Sequence, residues 1–105
     1  MTDKQLIYIT ASSESEATEI GRALVSERLV ACVNIHAPIK SVYWWDGDVQ
    51  EDAEVALVAK TTEDLVPRVI ERVKAAHSYD CPCVVALPIA GGNPAFLEWI
   101  SKETT

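Results

Sequence analysis

The sequence predicts an α+β fold: an antiparallel sheet with helices on one face, in a split βαβ order, with a long protruding hairpin between the second and third strands. Three observations predict it. Apolar runs of strand length alternate with amphipathic stretches in the order strand, helix, strand, strand, helix, strand, with a further helix at the end. Asp46-Gly47 lies between two strand-like segments, and Asp-Gly suits a type I′ turn, which needs positive φ at both central residues. A length of 105 residues with 49% hydrophobic content makes a single domain, residues 1–105, with ample material for a core.

Leu6-Ile7-Tyr8-Ile9-Thr10 is a short, nearly continuous apolar run, the pattern of a central strand. Ala11-Ser12 ends it. Ser13 and Glu16 form a capping box, and Glu14, Glu16 and Glu19 suit the positive end of a helix dipole. This helix is expected to reach about Arg28, with Ala17, Ile20, Leu24 and Arg28 on one face and Gly21 permitting close approach.

A long strand follows, from about Val30 to Trp45, returning through Glu54 to Thr61. Pro38 has no N–H to donate, so a bulge or kink is expected near Ala37-Pro38, with Pro38 toward an edge. Side chains alternate along a strand, so Trp44 lies opposite Tyr43 and Trp45. A small domain cannot cover both faces of a hairpin tip, so another chain is expected to cover Tyr43, Trp44 and Trp45.

Thr61-Thr62-Glu63-Asp64 supplies the N-cap and acidic first turn of a second helix, where Pro67 is tolerated near the start. Leu65, Val69, Val73 and Ala76 share a face, and His77-Ser78-Tyr79-Asp80 ends the helix. Cys83-Val84-Val85-Ala86-Leu87 is the last strand, closed by Pro88. Gly91-Gly92 turns the chain, and Asn93-Pro94 provides an N-cap and N1 proline for a short helix carrying Phe96, Leu97, Trp99 and Ile100. The order is that of a ferredoxin-like fold, βαββαβ plus a C-terminal helix, with a hairpin long enough to project past the helices.

Charge narrows the function. The net charge is -7, and nine Lys and Arg residues are scattered rather than clustered, which argues against nucleic acid and an anionic membrane surface. No apolar run approaches a membrane span, and no signal-peptide pattern opens the chain. Three cysteines are an odd count for a disulfide framework, so the chain reads as cytoplasmic with reduced thiols. No nucleophile–base–orienter order, Walker loop or GxGxxG is present, so it does not read as an enzyme, and no organic cofactor is expected.

Ala31-Cys32-Val33-Asn34-Ile35, Ser41-Val42-Tyr43-Trp44-Trp45-Asp46-Gly47, Glu54 with Lys60-Thr61-Thr62, His77-x-Tyr79-x-x-Pro82, Leu87-Pro88 with Gly92-Asn93, and Trp99-Ile100 together resemble the CutA divalent-cation-tolerance proteins. The resemblance covers nearly the whole chain. It implies a tight homotrimer whose hairpins pair between neighbours, shaped like the PII-type signalling trimers, with a link to copper and divalent-cation tolerance. Two positions depart from the family's usual His-Pro-Tyr and Pro-Glu: Ser78 replaces the proline and Cys83 the glutamate. At a ligand site the second change exchanges a hard oxygen for a soft sulfur, favouring Cu(I) or Zn.

The candidate metal ligands are Cys32, Glu54, His77, Cys81 and Cys83. Cys81 and Cys83 share a face if the strand already includes Cys81, and His77 lies four residues upstream. The competing reading is structural: Cys32 and Cys83 as small packing residues, and His77 as a helix C-cap. Glu54 and Lys60 face the same side of one strand. They suit either a ligand cleft between subunits walled by Trp45 and Tyr79, or an ion-pair network holding the trimer. The leading expectation is a homotrimer binding copper or another divalent metal ion. The alternatives are a PII-like signalling trimer binding a small anionic ligand, with Lys60 as its cation, and a stable scaffold without a ligand.

Overall fold

A computed structural model describes residues 2–105. The chain runs β1 (Lys4–Ala11), α1 (Glu14–Ser26), β2 (Cys32–Trp45), β3 (Asp48–Thr62), a 3-10 turn (Glu63–Leu65), α2 (Val66–Ala76), β4 (Val84–Pro88) and α3 (Pro94–Glu103). The four strands form one antiparallel sheet in the order β2-β3-β1-β4, so β1 is central, as its apolar run predicts.

One face of the sheet carries the core. Ile7, Ile9, Ala11, Val55, Leu57 and Ala59 are buried beneath Ala17, Ile20 and Leu24 of α1 and Val69 and Val73 of α2. The opposite face is much barer: Tyr8 and Val58 are half-buried, and Val85 and Leu87 of β4 are 50% and 48% exposed. α3 packs against β3 and β1 and buries Ile100.

The hairpin turn has the geometry its sequence requires, with φ of 50° at Asp46 and 82° at Gly47. The hairpin stretches the molecule to 44 Å against 25 and 22 Å in the other directions. It leaves Val42, Trp44, Trp45 and Val49 57–74% exposed.

The bulge expected near Pro38 is present, with His36 opposite Ala56 and Ile39 opposite Glu54, and Ala37-Pro38 is a cis peptide on the edge strand. This extra residue reverses the parity of β2. Cys32, Asn34 and His36 before it, and Ile39, Ser41, Tyr43 and Trp45 after it, pair with even-numbered residues of β3 and so share the barer face. Val42 and Trp44 project from the other side.

Three boundaries differ from expectation. α1 stops at Ser26 rather than Arg28, because the chain enters a left-handed cap with Arg28 at φ 60°. Leu29 N–H donates to the Leu24 carbonyl and Arg28 N–H to the Val25 carbonyl, both at 3.0 Å, the paired bonds of a Schellman motif. β3 continues to Thr62, and the 3-10 turn separates it from α2, whose early turn holds Pro67. β4 begins at Val84, so Cys81 and Cys83 lie in the preceding loop, where the strand alternation invoked for them does not apply.

Candidate functional site

The densest polar arrangement lies at the base of the hairpin, where the loop after α2 meets the N-terminus of α1 and the end of β1. His77 caps α2 and turns its ring onto β1. Its Nε2–H donates to the Thr10 carbonyl at 2.7 Å, and its Nδ1 accepts from the Tyr79 N–H at 3.1 Å. A carbonyl only accepts and an N–H only donates, so these two bonds define a neutral Nε2–H tautomer with both nitrogens committed. His77 therefore fastens the loop to β1, with both ring nitrogens engaged inside the chain.

Glu16 holds the same loop from the other side. The sequence marks it as half of a capping box, and its N–H does donate to the Ser13 hydroxyl at 3.1 Å. Its carboxylate reaches further back than the box requires. Oε1 accepts from the Ser12 N–H and hydroxyl at 3.0 and 2.8 Å, while Oε2 accepts from the Ser78 N–H at 2.9 Å. Partial burial opposes its charge, but the bonds from Ser78 and Ser12 outweigh that and hold its carboxyl down at about 2. Proline at position 78 would have no N–H to give, so this bond depends on a residue such as the serine found here.

Tyr79 leans on the His77 ring, with centroids 4.6 Å apart, and its hydroxyl donates to Glu54 Oε2 at 2.8 Å. Burial first, and then the Glu54 carboxylate, raise the phenol well above the usual tyrosine range. One step up the hairpin the Tyr43 hydroxyl donates to Asp52, which raises that phenol too.

The remaining candidates are spread along the fold. Cys32 is half-buried and sits opposite Lys60 on the barer sheet face. Lys60 donates to the Asn34 side-chain oxygen. Glu54 lies six strand residues from Lys60 and six from Asp48, which pairs with Trp45; each interval spans about 20 Å. Within one chain, Glu54 and Tyr79 are therefore brought into contact, while Lys60 and Trp45 are not part of the same cleft. Cys81 and Cys83 are free and exposed in the loop beyond Tyr79. Among the described residues no three His, Cys, Asp or Glu side chains converge closely enough to hold a metal ion. The five expected ligands do not form a site in a single chain, because β3 separates Cys32 from Glu54 and the Thr10 contact occupies His77.

Glu16, Ser12 and Thr10 were not foreseen as part of this arrangement. Thr10 acts through its backbone, which no side-chain motif signals.

A family model described as CutA1 divalent ion tolerance protein matches residues 5–103. The divalent-cation tolerance protein CutA of Thermus thermophilus is 48% identical over 101 residues, covering 96% of this chain and 98% of that protein. The chloroplastic protein CutA 1 of rice is 48% identical over 99 residues, covering 94% of this chain and 56% of that protein. The chain thus spans about half the length of the plant relative and nearly all of the bacterial one. Among solved structures, the Thermus thermophilus divalent cation tolerance protein superposes with a TM-score of 0.95 at 48% identity, covering 97% and 99% of the two chains. A protein of Archaeoglobus fulgidus described as a periplasmic divalent cation tolerance protein does so with 0.93 at 44%, covering 95% and 97%. Among the described residues no helix is long and apolar enough to cross a membrane.

Proposed function

This chain belongs to the CutA1 divalent ion tolerance family, and we propose that it works as a homotrimer that takes up a divalent or transition-metal ion in clefts between its subunits. The observation that carries this reading is the pairing of a bare sheet face with a long hairpin whose Trp44 and Trp45 stand 74% and 63% exposed. An unpaired β2 edge beside such a surface suits association with further copies of the same chain.

The metal part follows from the scatter of donors. A divalent ion of the zinc type wants four ligands, and no three converge in one chain among the described residues. A neighbouring subunit would complete the shell, drawing on Cys32, Glu54, Cys81 and Cys83. His77 stays with its structural bonds. The relatives are named for tolerance rather than for a reaction, in keeping with a binding role and no catalysis. The cytoplasm is the compartment that suits three unpaired cysteines.

The test is native mass spectrometry of reduced protein with and without Zn²⁺. The reading expects a trimer that takes up a Zn²⁺ per subunit, weakened by Cys32→Ser or Glu54→Gln without loss of the trimer. A trimer that stays bare would reject the cleft site.

One observation favours a second reading, a trimer that binds a small anion as PII-type signalling proteins do. The Lys60 ammonium meets the neutral Asn34 amide and no carboxylate among the described residues, so its charge is available to an anionic ligand. A thermal shift with nucleotides or dicarboxylates that disappears in Lys60→Ala would favour it.

A further inference from the structure

The loop from His77 to Cys83 is held at both ends. Thr10, Glu16 and Glu54 fasten its first three residues, and the pairing of Val84 with Ile9 fixes where it rejoins the sheet. Between these anchors it displays two exposed free thiols with a proline between them, Cys81-Pro82-Cys83. Pro82 has a fixed φ, and the residue before a proline is confined to extended backbone, so the link between the thiols is stiff.

Most of the other donors nearby are engaged within the chain, Asp80 and one oxygen of Glu54 excepted. Both nitrogens of His77, both oxygens of Glu16 and one oxygen of Glu54 already carry hydrogen bonds. Among the described residues no third His, Cys, Asp or Glu side chain converges with the two thiols, so a site here has two sulfurs from its own chain. Two sulfurs from one chain fall short of the four ligands of tetrahedral zinc and do not suit the oxygen-seeking Ca²⁺ and Mg²⁺. Such a pair matches a soft monovalent d¹⁰ ion, which is content with two thiolates in line.

We propose that Cys81 and Cys83 of a single chain together hold one Cu(I) as a two-coordinate bis-thiolate. Soft thiolates select Cu(I) over harder ions. A sulfur–metal–sulfur unit also bridges a wider gap than a disulfide, which needs the two Cβ atoms about 4 Å apart. On binding, each thiol loses its proton to solvent, two Cu–S bonds form, and copper keeps its oxidation state. The site goes from neutral, with the free ion at +1, to a bound unit of charge -1. The inference rests on the metal-binding reading above but not on subunit clefts, because both donors belong to one loop.

The test uses the full reduced chain under argon. Cu(I) is supplied as its acetonitrile complex in competition with the colorimetric chelator bicinchoninate, for the wild type, Cys81→Ser, Cys83→Ser and Cys83→Glu. The wild type should withdraw one equivalent per chain, with an affinity that rises with pH as proton release becomes easier. Each variant should bind more than about tenfold more weakly, because losing a direct ligand costs at least as much as losing a supporting group. A wild type that fails to compete, or a serine variant that competes as well as the wild type, would overturn the proposal. Circular dichroism and native mass on the same samples establish that the variants keep fold and assembly. Zn²⁺ uptake and trimer mass of the wild type separate the two readings: if both fail while the Cu(I) results hold, the clefts are wrong and the thiol pair stands.

Discussion

The Tyr79 hydroxyl donates to the Glu54 carboxylate at 2.8 Å, which ties the loop after α2 to the base of the projecting hairpin. Glu54 lies on β3 just where the hairpin leaves the helices behind, so this bond joins the rigid body of the subunit to the arm that reaches beyond it.

Alkaline stability should report that bond. Partial burial and the neighbouring Glu54 raise the Tyr79 phenol above its usual range. A folded-state value above the unfolded one means stability that is present below about pH 10 and lost as pH rises through the folded value. Tyr79→Phe should cost about 0.5–1 kcal/mol at neutral pH and make the alkaline loss shallower. Urea unfolding across pH 8–11.5 checks it, about the range over which an ordinary phenol titrates.

Glu16 should govern the acid side. Its carboxyl is held at about 2 against an ordinary 4.5. A depressed folded value gives stability that is present above the ordinary value and lost as pH falls toward the folded one. Glu16→Gln should lower stability at neutral pH by about 1–2 kcal/mol, allowing for the partial exposure of the group, and flatten the decline between pH 4.5 and 2. Denaturation midpoints over that window measure the effect.

Ser78→Pro separates the N–H from the carboxylate. His77 has φ -86° and ψ 144°, the extended backbone that suits a residue before proline, so the ring itself should be tolerated. The expected result is a Glu16 carboxyl that rises from about 2 toward its ordinary value, read by NMR titration of its side-chain carbon.

Gly21→Ala should stabilise the chain. Gly21 is buried in α1, and a Cβ there would sit 3.5 Å from Val33 Cγ1 and 3.8 Å from Ile35 Cδ1, ordinary contact distances. The space needs no glycine, and alanine in a helix interior gains about 0.5–1 kcal/mol. A higher thermal midpoint would show it.

Trp44→Ser should leave the subunit folded and weaken its assembly. The side chain is 74% exposed and lies beside Val42 and Val49, themselves 61% and 57% exposed, so little packing within the chain is lost. An aromatic buried at the centre of an interface is worth about 2 kcal/mol or more. Dilution should then dissociate the variant at concentrations where the wild type stays whole, as followed by light scattering.

Much of this architecture was legible in the sequence. Asp46-Gly47 marked the turn, Pro38 the bulge, and the apolar run at Leu6–Thr10 the central strand. What could not be read depends on tertiary contacts. Arg28 ends α1 in a left-handed cap that normally takes glycine, so nothing local announced the stop. The bulge reverses the parity of β2, and alternation counted from Cys32 would therefore put Tyr43 on the wrong face. His77 looked like a ligand because its spacing to Cys81 and Cys83 is suggestive, but its fate was decided by the Thr10 carbonyl, 67 residues away. Glu16 was legible as a cap, while its grip on Ser78 is a contact across 62 residues.

The bare sheet face and hairpin are proposed to belong to an assembly of identical chains. Sedimentation equilibrium of the freshly reduced protein tests it most directly. A single species at three times the 11.5 kDa of one chain, unchanged on dilution, is the expected result. A species at 11.5 kDa under the same conditions would contradict it, and the clefts proposed between subunits would go with it.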